Sequence, residues 1–257
     1  MLFDTHAHYD DAQFDADRES LLAALPQADV GLVLNPGCTV ESSRRAVALA
    51  RAFPHVYAAV GIHPEECGDF APEHIRQLRQ LAEDEPKVVA IGEVGLDYYW
   101  PENPPRPLQQ EVLRQQMALA RELELPVILH DREAHADSMA IMREFPEVRG
   151  VFHCFSGSVE MARELVERGW YLSFGGAVTF KNARRAPEVV RAIPIERLLI
   201  ETDAPYMTPV PHRGKRNDSR YVSLVAEKLA QLLERSPQEL ARISWDNGCR
   251  LFGIRQP

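Results

Sequence analysis

Histidines and carboxylates near the start of the chain have the spacing of a metal site. His6 and His8 are two residues apart and follow a short apolar segment at positions 2 and 3. In a strand, side chains two residues apart point to the same face, so the two imidazoles would lie side by side. Such a pair can bind a divalent cation, with Asp4 and Asp10 close enough to add an oxygen ligand or a hydrogen bond. The pair alone is a weak signal, and its interpretation depends on further ligands.

Further polar residues end the other predicted strands. They are Asn35, His63, Glu93, His130, His153, Ser173 and Asp203. A single histidine of this kind is usually hydrogen-bonded at the rim of a sheet. Burying several with carboxylates is costly unless they are paired or bind a metal. Four imidazoles with Glu93 and Asp203 suffice for two metal ions that share a carboxylate.

These residues must be positioned by a fold in which apolar strands alternate with helices. The predicted strands are an opening strand leading to His6 and residues 30–34, 56–60, 87–91, 126–130, 150–153, 170–174 and 197–203. The predicted helices are residues 15–25, a segment from 39, a segment through 75–81, residues 108–123, a segment around 139–142, residues 159–168, a short segment near 189–190, and residues 221–233 and 237–251. Eight such units in about 250 residues predict an α/β fold, a (β/α)8 TIM barrel with its site at the carboxyl ends of the strands.

No linker or low-complexity segment divides the chain, so we expect one domain over residues 1–257. The alternative is an open, doubly wound sheet. That fold normally has fewer strands and a glycine-rich first turn, whereas the first strand here leads into His-x-His.

Composition is that of a globular protein, with 45% hydrophobic and 26% charged residues. The formal net charge of −9 repels a polyanion, so binding of nucleic acid would need metal ions or a local basic patch. The four cysteines lack paired metal-site spacing and indicate reduced thiols. We read no signal peptide, and the apolar segments are too short to cross a bilayer, which predicts a cytoplasmic protein without membrane association.

Basic and aromatic residues follow several strand ends. Lys181, Arg184 and Arg185 follow the seventh strand, and His212, Arg213, Lys215, Arg216 and Arg220 follow the eighth. Barrels often bind phosphate there, and the group after the eighth strand is the more persuasive one because it lies in a long loop beside Asp203. The aromatic residues are Tyr98, Tyr99, Trp100, Phe155, Phe180 and Tyr206, which either pack the loops or stack on bases of a single strand.

Seven motifs together resemble the TatD family of metal-dependent deoxyribonucleases, which belongs to the amidohydrolase-like metal hydrolases. They are Asp-Thr-His-Ala-His at 4–8, Gly-Ile-His-Pro at 61–64, Gly-Glu-Val-Gly-Leu-Asp-Tyr-Tyr at 92–99, His-Asp-Arg-Glu at 130–133, His-Cys-Phe-Ser-Gly at 153–157, Glu-Thr-Asp-Ala-Pro at 201–205 and Arg-Gly-Lys-Arg-Asn at 213–217. The motifs keep the family's order and cover nearly the whole chain. Two places depart from the family pattern. Tyr9 stands where the family usually has an aliphatic residue, and Asp218 and Ser219 stand where it usually has an acidic residue followed by proline.

The resemblance implies a barrel that holds two divalent cations per subunit. It assigns His6, His8, Glu93 and Asp203 to one ion, and Glu93, His130 and His153 to the other, with Glu93 as the bridge. The residue types suit Zn, Mn or Fe, whereas Mg usually prefers oxygen ligands. Family members are described as magnesium-dependent, so the metal could be Mg, Mn or Zn.

The predicted function is two-metal hydrolysis of DNA, of exonuclease type, with single strands or 3′ ends as candidate substrates and no obligate protein partner evident. The predicted catalytic residues are Asp203, which orients and deprotonates the attacking water, Glu93 and His63. His63, Arg213 and Lys215 are predicted to bind the substrate. One alternative is hydrolysis of a small ester, amide or lactone, because the same ions polarise a carbonyl. A second is a noncatalytic metal-binding scaffold that presents the barrel to a partner.

Overall fold

Eight parallel strands alternate with helices in the computed structural model, which describes residues 1–255. The strands are β1 (Leu2–Asp4), β2 (Val30–Pro36), β3 (Val56–Val60), β4 (Val88–Asp97), β5 (Val127–Arg132), β6 (Gly150–Phe152), β7 (Tyr171–Phe174) and β8 (Leu198–Ile200). The helices are α1 (Arg18–Ala24), α2 (Val40–Ala52), α3 (Pro72–Asp84), α4 (Arg106–Glu122), α5 (His135–Glu144), α6 (Val159–Glu167), α7 (Arg185–Ala192), α8 (Val222–Leu232) and α9 (Pro237–Phe252). The predicted (β/α)8 barrel is confirmed.

Apolar side chains of each strand alternate between two separate cores. In β5, Val127 and Leu129 join the large core between strands and helices, whereas Ile128 joins a smaller core inside the barrel. The smaller core takes residues from all eight strands and is completed by Trp245 and Phe252, among other residues, from α9 and its end. Helix α9 therefore closes the barrel at one end, and the carboxyl ends of the strands are left for the polar residues.

Each strand pairs with the next along the chain, from β1 to β8. The first and last strands are joined just beyond their ends: the Asp203 amide donates to the His6 carbonyl at 2.9 Å, and the His8 amide to the Ala204 carbonyl at 2.7 Å. These bonds bring three candidate metal ligands, His6, His8 and Asp203, close together although they lie far apart in the sequence.

Two strands differ from their predicted bounds. The fourth was predicted to end at residue 91, but pairing with β5 resumes after a register shift between Ile91 and Val94, so β4 continues to Asp97. The eighth was predicted over residues 197–203, but β8 ends at Ile200. Asp203 has φ of 57°, a left-handed conformation that no strand accommodates.

No helix within residues 1–255 is long and apolar enough to span a bilayer. Cys38, Cys67, Cys154 and Cys249 are all free thiols. The cytoplasmic location stays a prediction.

Candidate metal centre

Glu93 lies at the centre of the carboxyl end of the barrel and is only 3% exposed. Its two carboxylate oxygens face different sets of imidazoles. Oε2 lies 3.2 Å from Nε2 of His6 and 3.3 Å from Nε2 of His8. Oε1 lies 2.9 Å from Nδ1 of His130 and 2.8 Å from Nε2 of His153. One carboxylate can therefore serve two neighbouring cations.

The first donor group consists of His6, His8, Oε2 of Glu93 and Asp203. The two Nε2 atoms are 3.0 Å apart. Oδ1 of Asp203 lies 3.8 Å from Nε2 of His6 and 3.7 Å from Nε2 of His8. This group gathers donors from the segments after β1 and β8 around the side chain of β4.

The second donor group consists of Oε1 of Glu93, Nδ1 of His130 and Nε2 of His153. The two nitrogens are 3.2 Å apart. His63 borders this group, with Nε2 at 3.4 Å from Oε1 of Glu93 and its ring against that of His130. The strand pairing of β4, β5 and β6 fixes these positions.

Both donor groups fit a divalent cation. Donors bound tetrahedrally at 2.0–2.1 Å would be about 3.3–3.4 Å apart. The imidazole and carboxylate separations of 2.8–3.8 Å bracket that value. Imidazole nitrogens and carboxylate oxygens are also the ligands that such ions prefer.

A carboxylate behind the ring orients His130, and a second carboxylate lies near His153. Nε2 of His130 donates to Oδ2 of Asp97 at 2.9 Å, so a neutral ring would present the lone pair of Nδ1 to a cation on the side of Glu93. Nδ1 of His153 lies 3.5 Å from Oε1 of Glu201 without hydrogen-bond geometry. Such carboxylates fix the tautomer and the direction of a metal-binding imidazole.

The environment of the centre favours an ionised Glu93 carboxylate and a neutral His63 imidazole. Burial alone would raise the pKa of Glu93, but the surrounding imidazoles hold it well below its usual range. Burial lowers the pKa of His63 to about 4. Nδ1 of His63 accepts from the Glu65 amide, so the neutral ring carries its proton on Nε2, which faces Glu93. Burial raises the pKa of Asp203.

A buried hydrogen-bond chain supports the backbone around the first donor group. Asp4 accepts from the backbone amide and the hydroxyl of Thr202, at 2.9 and 2.6 Å, and from the Ser219 hydroxyl at 2.6 Å. Tyr9 donates to that hydroxyl and accepts from the Ser219 amide, both at 2.9 Å. Tyr9 and Ser219, two of the residues that depart from the family pattern, are therefore in contact with each other.

The donor groups lie at the floor of an open cleft of about 1000 Å³. Side chains of His8, His63, Glu93 and His130 reach it, among other residues, and so does Asp203. Its walls carry both cations and acids: they include Arg18, Arg45, Arg132, Asp11, Glu65, Trp100 and Tyr206. The cleft is large enough for a substrate of several linked groups.

The basic residues predicted to bind phosphate lie elsewhere. Arg213 and Lys215 are exposed on the loop after β8, and neither lines the cleft. Arg213 covers the ring of Phe180 at 4.0 Å. Arg216 pairs with Asp17 at 2.6 Å. The loop therefore points these two arginines at neighbouring side chains.

Sequence reasoning gave no role to several residues that the structure places at the site. Asp97 and Arg132 stood in motifs beside Glu93 and His130, and Glu201 in the motif of Asp203. Their available signal was spacing: Arg132 is two residues after His130 and Glu201 is two before Asp203. In a strand such as β5, residues two apart share a face, whereas Glu201 and Asp203 lie beyond the end of β8.

A (β/α)8 barrel with imidazoles and carboxylates gathered at the carboxyl ends of its strands defines the class of metal-dependent hydrolases. The family model described as TatD related DNase matches residues 3–253. The chain belongs to this family.

Its relatives are similar over their whole length. The uncharacterised metal-dependent hydrolase YabD of Bacillus subtilis is 46% identical, with 99% of this chain and 100% of the relative covered. The 3′-5′ ssDNA/RNA exonuclease TatD of Cronobacter sakazakii is 36% identical, with 98% of this chain and 97% of the relative covered. The crystal structure of the TatD homologue YjjV from Escherichia coli matches with a TM-score of 0.92 and 35% identity, covering 99% of this chain and 98% of that one.

Proposed function

We propose that the protein is a metal-dependent exonuclease that hydrolyses phosphodiester bonds at the ends of DNA. The observation that carries the proposal is the position of Glu93, whose two oxygens face two donor groups at the floor of the cleft. This arrangement suits two cations on either side of one reacting phosphate. The name of the Cronobacter sakazakii relative adds support for nucleic acid as the substrate.

Each donor group is proposed to hold one divalent cation. His6, His8 and Asp203 would hold the first, His130 and His153 the second, and Glu93 would bridge them. When bound, such ions act as Lewis acids towards phosphoryl oxygens and lower the pKa of water. The imidazole-rich donors favour Mn or Zn over Mg, although Mg remains a metal to be tested.

Asp203 and His63 are proposed to act on the reacting groups. The Asp203 carboxylate is 17% exposed and lines the cleft, so it can orient the attacking water and accept its proton. The Nε2–H of His63 can donate to a phosphoryl oxygen, because the neutral tautomer places its proton on the side of Glu93. Neither role needs a change in the fold.

DNA would reach the cleft with help from cations at the surface, because the whole chain carries a net charge of −9. Arg213 and Lys215 are proposed to contact phosphates of the strand outside the cleft. Their exposure on the loop after β8 suits that role. Contacts of this kind add affinity without fixing the sequence that is bound.

The test is cleavage of a 20-nucleotide DNA labelled at either end, after the protein is loaded with Mg, Mn or Zn in turn. We expect stepwise shortening from one end by the native protein and none by Glu93→Gln. The matched control is Glu85→Gln, because Glu85 is also buried, at 8% exposed against 3% for Glu93, but pairs with Arg51, away from the cleft. Hydrolysis of a chromogenic ester or lactone, without any cleavage of DNA, would contradict the proposal.

A further inference from the structure

The exposed aromatic side chains concentrate around the cleft. Of the six aromatic residues named as candidates for base stacking, three are taken up by packing: Phe155 is 6% exposed, Arg106 covers Tyr98, and Arg213 covers Phe180. The other three are Tyr99, Trp100 and Tyr206, which are 48%, 43% and 51% exposed. Trp100 and Tyr206 line the cleft. Large exposed rings at the mouth of a polar cleft suit a ligand with flat faces.

Arg132 is an exposed cation of the cleft wall that lies near the carboxylates of Asp97 and Glu65 without forming an ion pair with either. It lies in β5 two residues after His130, so it shares a face with this metal donor and lies about 7 Å farther along the strand. Within residues 1–255 its guanidinium makes no ion pair or side-chain hydrogen bond. By contrast, Arg18 pairs with Asp15 and Arg45 with Asp10.

Two rings hold this guanidinium in place. Arg132 lies 3.9 Å from the centroid of Tyr99 and 5.4 Å from that of Trp100. The two rings meet edge to face with centroids 4.7 Å apart. Stacking uses the flat face of a guanidinium and leaves its N–H edges free for a phosphate. Binding a phosphate would therefore cost the Arg132 side chain little conformational entropy.

We propose that Arg132 and Trp100 form a nucleotide subsite on the β4–β5 side of the cleft. Arg132 binds the phosphate next to the scissile one, and Trp100 stacks on the adjoining base. The proposal rests on the proposed function. A base stacked on Trp100 has left its pairing partner, so the subsite selects single-stranded ends.

Binding can be measured without any reaction. Trp100 is the one well-exposed tryptophan, since Trp170 and Trp245 are 1% and 9% exposed. We expect 5′-phosphorylated (dT)4, titrated in EDTA, to quench the tryptophan fluorescence to saturation. Trp100→Phe should remove most of that quenching, and Arg132→Gln should raise the Kd about tenfold. The matched control is Arg106→Gln, which removes a guanidinium that also stacks on a ring, that of Tyr98, but does not line the cleft. Its Kd should equal the native value.

Cleavage then separates stacking from folding. Native protein and Trp100→Ala are compared on a single strand and on the same strand with an abasic residue next to the scissile bond. We expect kcat/KM of the native protein to be about tenfold lower on the abasic strand than on the intact strand. For Trp100→Ala, kcat/KM should be nearly the same on the two strands. Turnover of bis-p-nitrophenyl phosphate by Arg106→Gln should stay at the native rate, because Arg106 does not line the cleft.

The outcomes distinguish this proposal from the proposed function. Suppose that the native protein cleaves DNA and that the abasic residue lowers kcat/KM of Trp100→Ala as much as that of the native protein. The subsite proposal is then wrong, and the proposed nuclease function is retained. If the native protein cleaves no DNA but (dT)4 quenches Trp100 and Arg132→Gln weakens that effect, the subsite stands and the nuclease fails. Equal Kd values for Arg132→Gln and native protein overturn the phosphate contact.

Discussion

The carboxylate of Asp97 holds His130 in position, and Asp97→Asn tests that role. Oδ2 accepts from Nε2 of His130 at 2.9 Å, while Oδ1 accepts from the Tyr99 amide at 2.9 Å and from the Asn103 side chain at 3.1 Å. Asparagine has one acceptor and one donor where aspartate has two acceptors. If its oxygen faces His130, its NH2 group meets two donors. If its NH2 group faces His130, the imidazole proton must move to Nδ1, the atom that faces Glu93.

Either orientation weakens the second donor group. Losing a carboxylate behind a metal-binding histidine costs about 10- to 100-fold in metal affinity. This corresponds to about 1.4–2.8 kcal/mol. The first donor group should keep its affinity, because Asp97 contacts neither His6 nor His8. We therefore expect two binding steps of which one is weakened.

The assay is calorimetric titration of Mn and of Zn, with thermal unfolding followed on the same samples. Asp131→Asn is the matched control, since Asp131 also binds a histidine, His135 at 2.7 Å, outside the donor groups. Its two binding steps should match the native ones. Unchanged affinity in Asp97→Asn, or an equal loss at both steps, would refute the reasoning.

Four further predictions concern the same end of the barrel. Glu93→Ala should lose more metal than any single histidine substitution, as elemental analysis would show, because both donor groups lose an oxygen; full occupancy by two ions would contradict the bridge. Asp203→Asn should keep most of its metal but lose most single-turnover cleavage, because an amide accepts no proton; near-native rates would remove Asp203 as the base. Replacing Arg213 and Lys215 by alanine should weaken binding of an oligonucleotide and flatten its salt dependence, with bis-p-nitrophenyl phosphate turnover unchanged; an unaltered salt slope would exclude phosphate contacts there. Tyr9→Phe should lower the free energy of unfolding by about 1–3 kcal/mol in urea titrations, because a buried amide loses its acceptor; equal midpoints would show that water replaces the phenol.

Periodicity predicted the barrel because each strand is a short apolar segment followed by a helix. It also predicted which residues gather at one end, since the carboxyl ends of parallel strands share an edge. Strand bounds were harder to predict. β4 continues past Glu93 through pairing with β5, a contact between residues far apart in sequence.

The path of the long loops could not be predicted either. Proximity to Asp203 in sequence favoured Arg213 as a cleft residue, but the loop after β8 is fixed by contacts such as the pair of Arg216 with Asp17. Arg132 was overlooked because a residue following a metal ligand looks like part of its motif. Its side chain reaches the cleft because β5 continues to that residue.

The contact between Tyr9 and Ser219 limits how these two positions can change during evolution. Proline at 219 alone would remove both the hydroxyl and the amide that the phenol uses, and leave a buried phenol without a partner. An aliphatic residue at 9 alone would leave the Ser219 amide without its acceptor. Each single change would lower the free energy of unfolding by about 1–3 kcal/mol. We therefore expect that replacing Tyr9 and Ser219 by an aliphatic residue and proline needs either two nearly simultaneous substitutions or a stabilising change elsewhere. Homologues should therefore carry these residues in matched combinations.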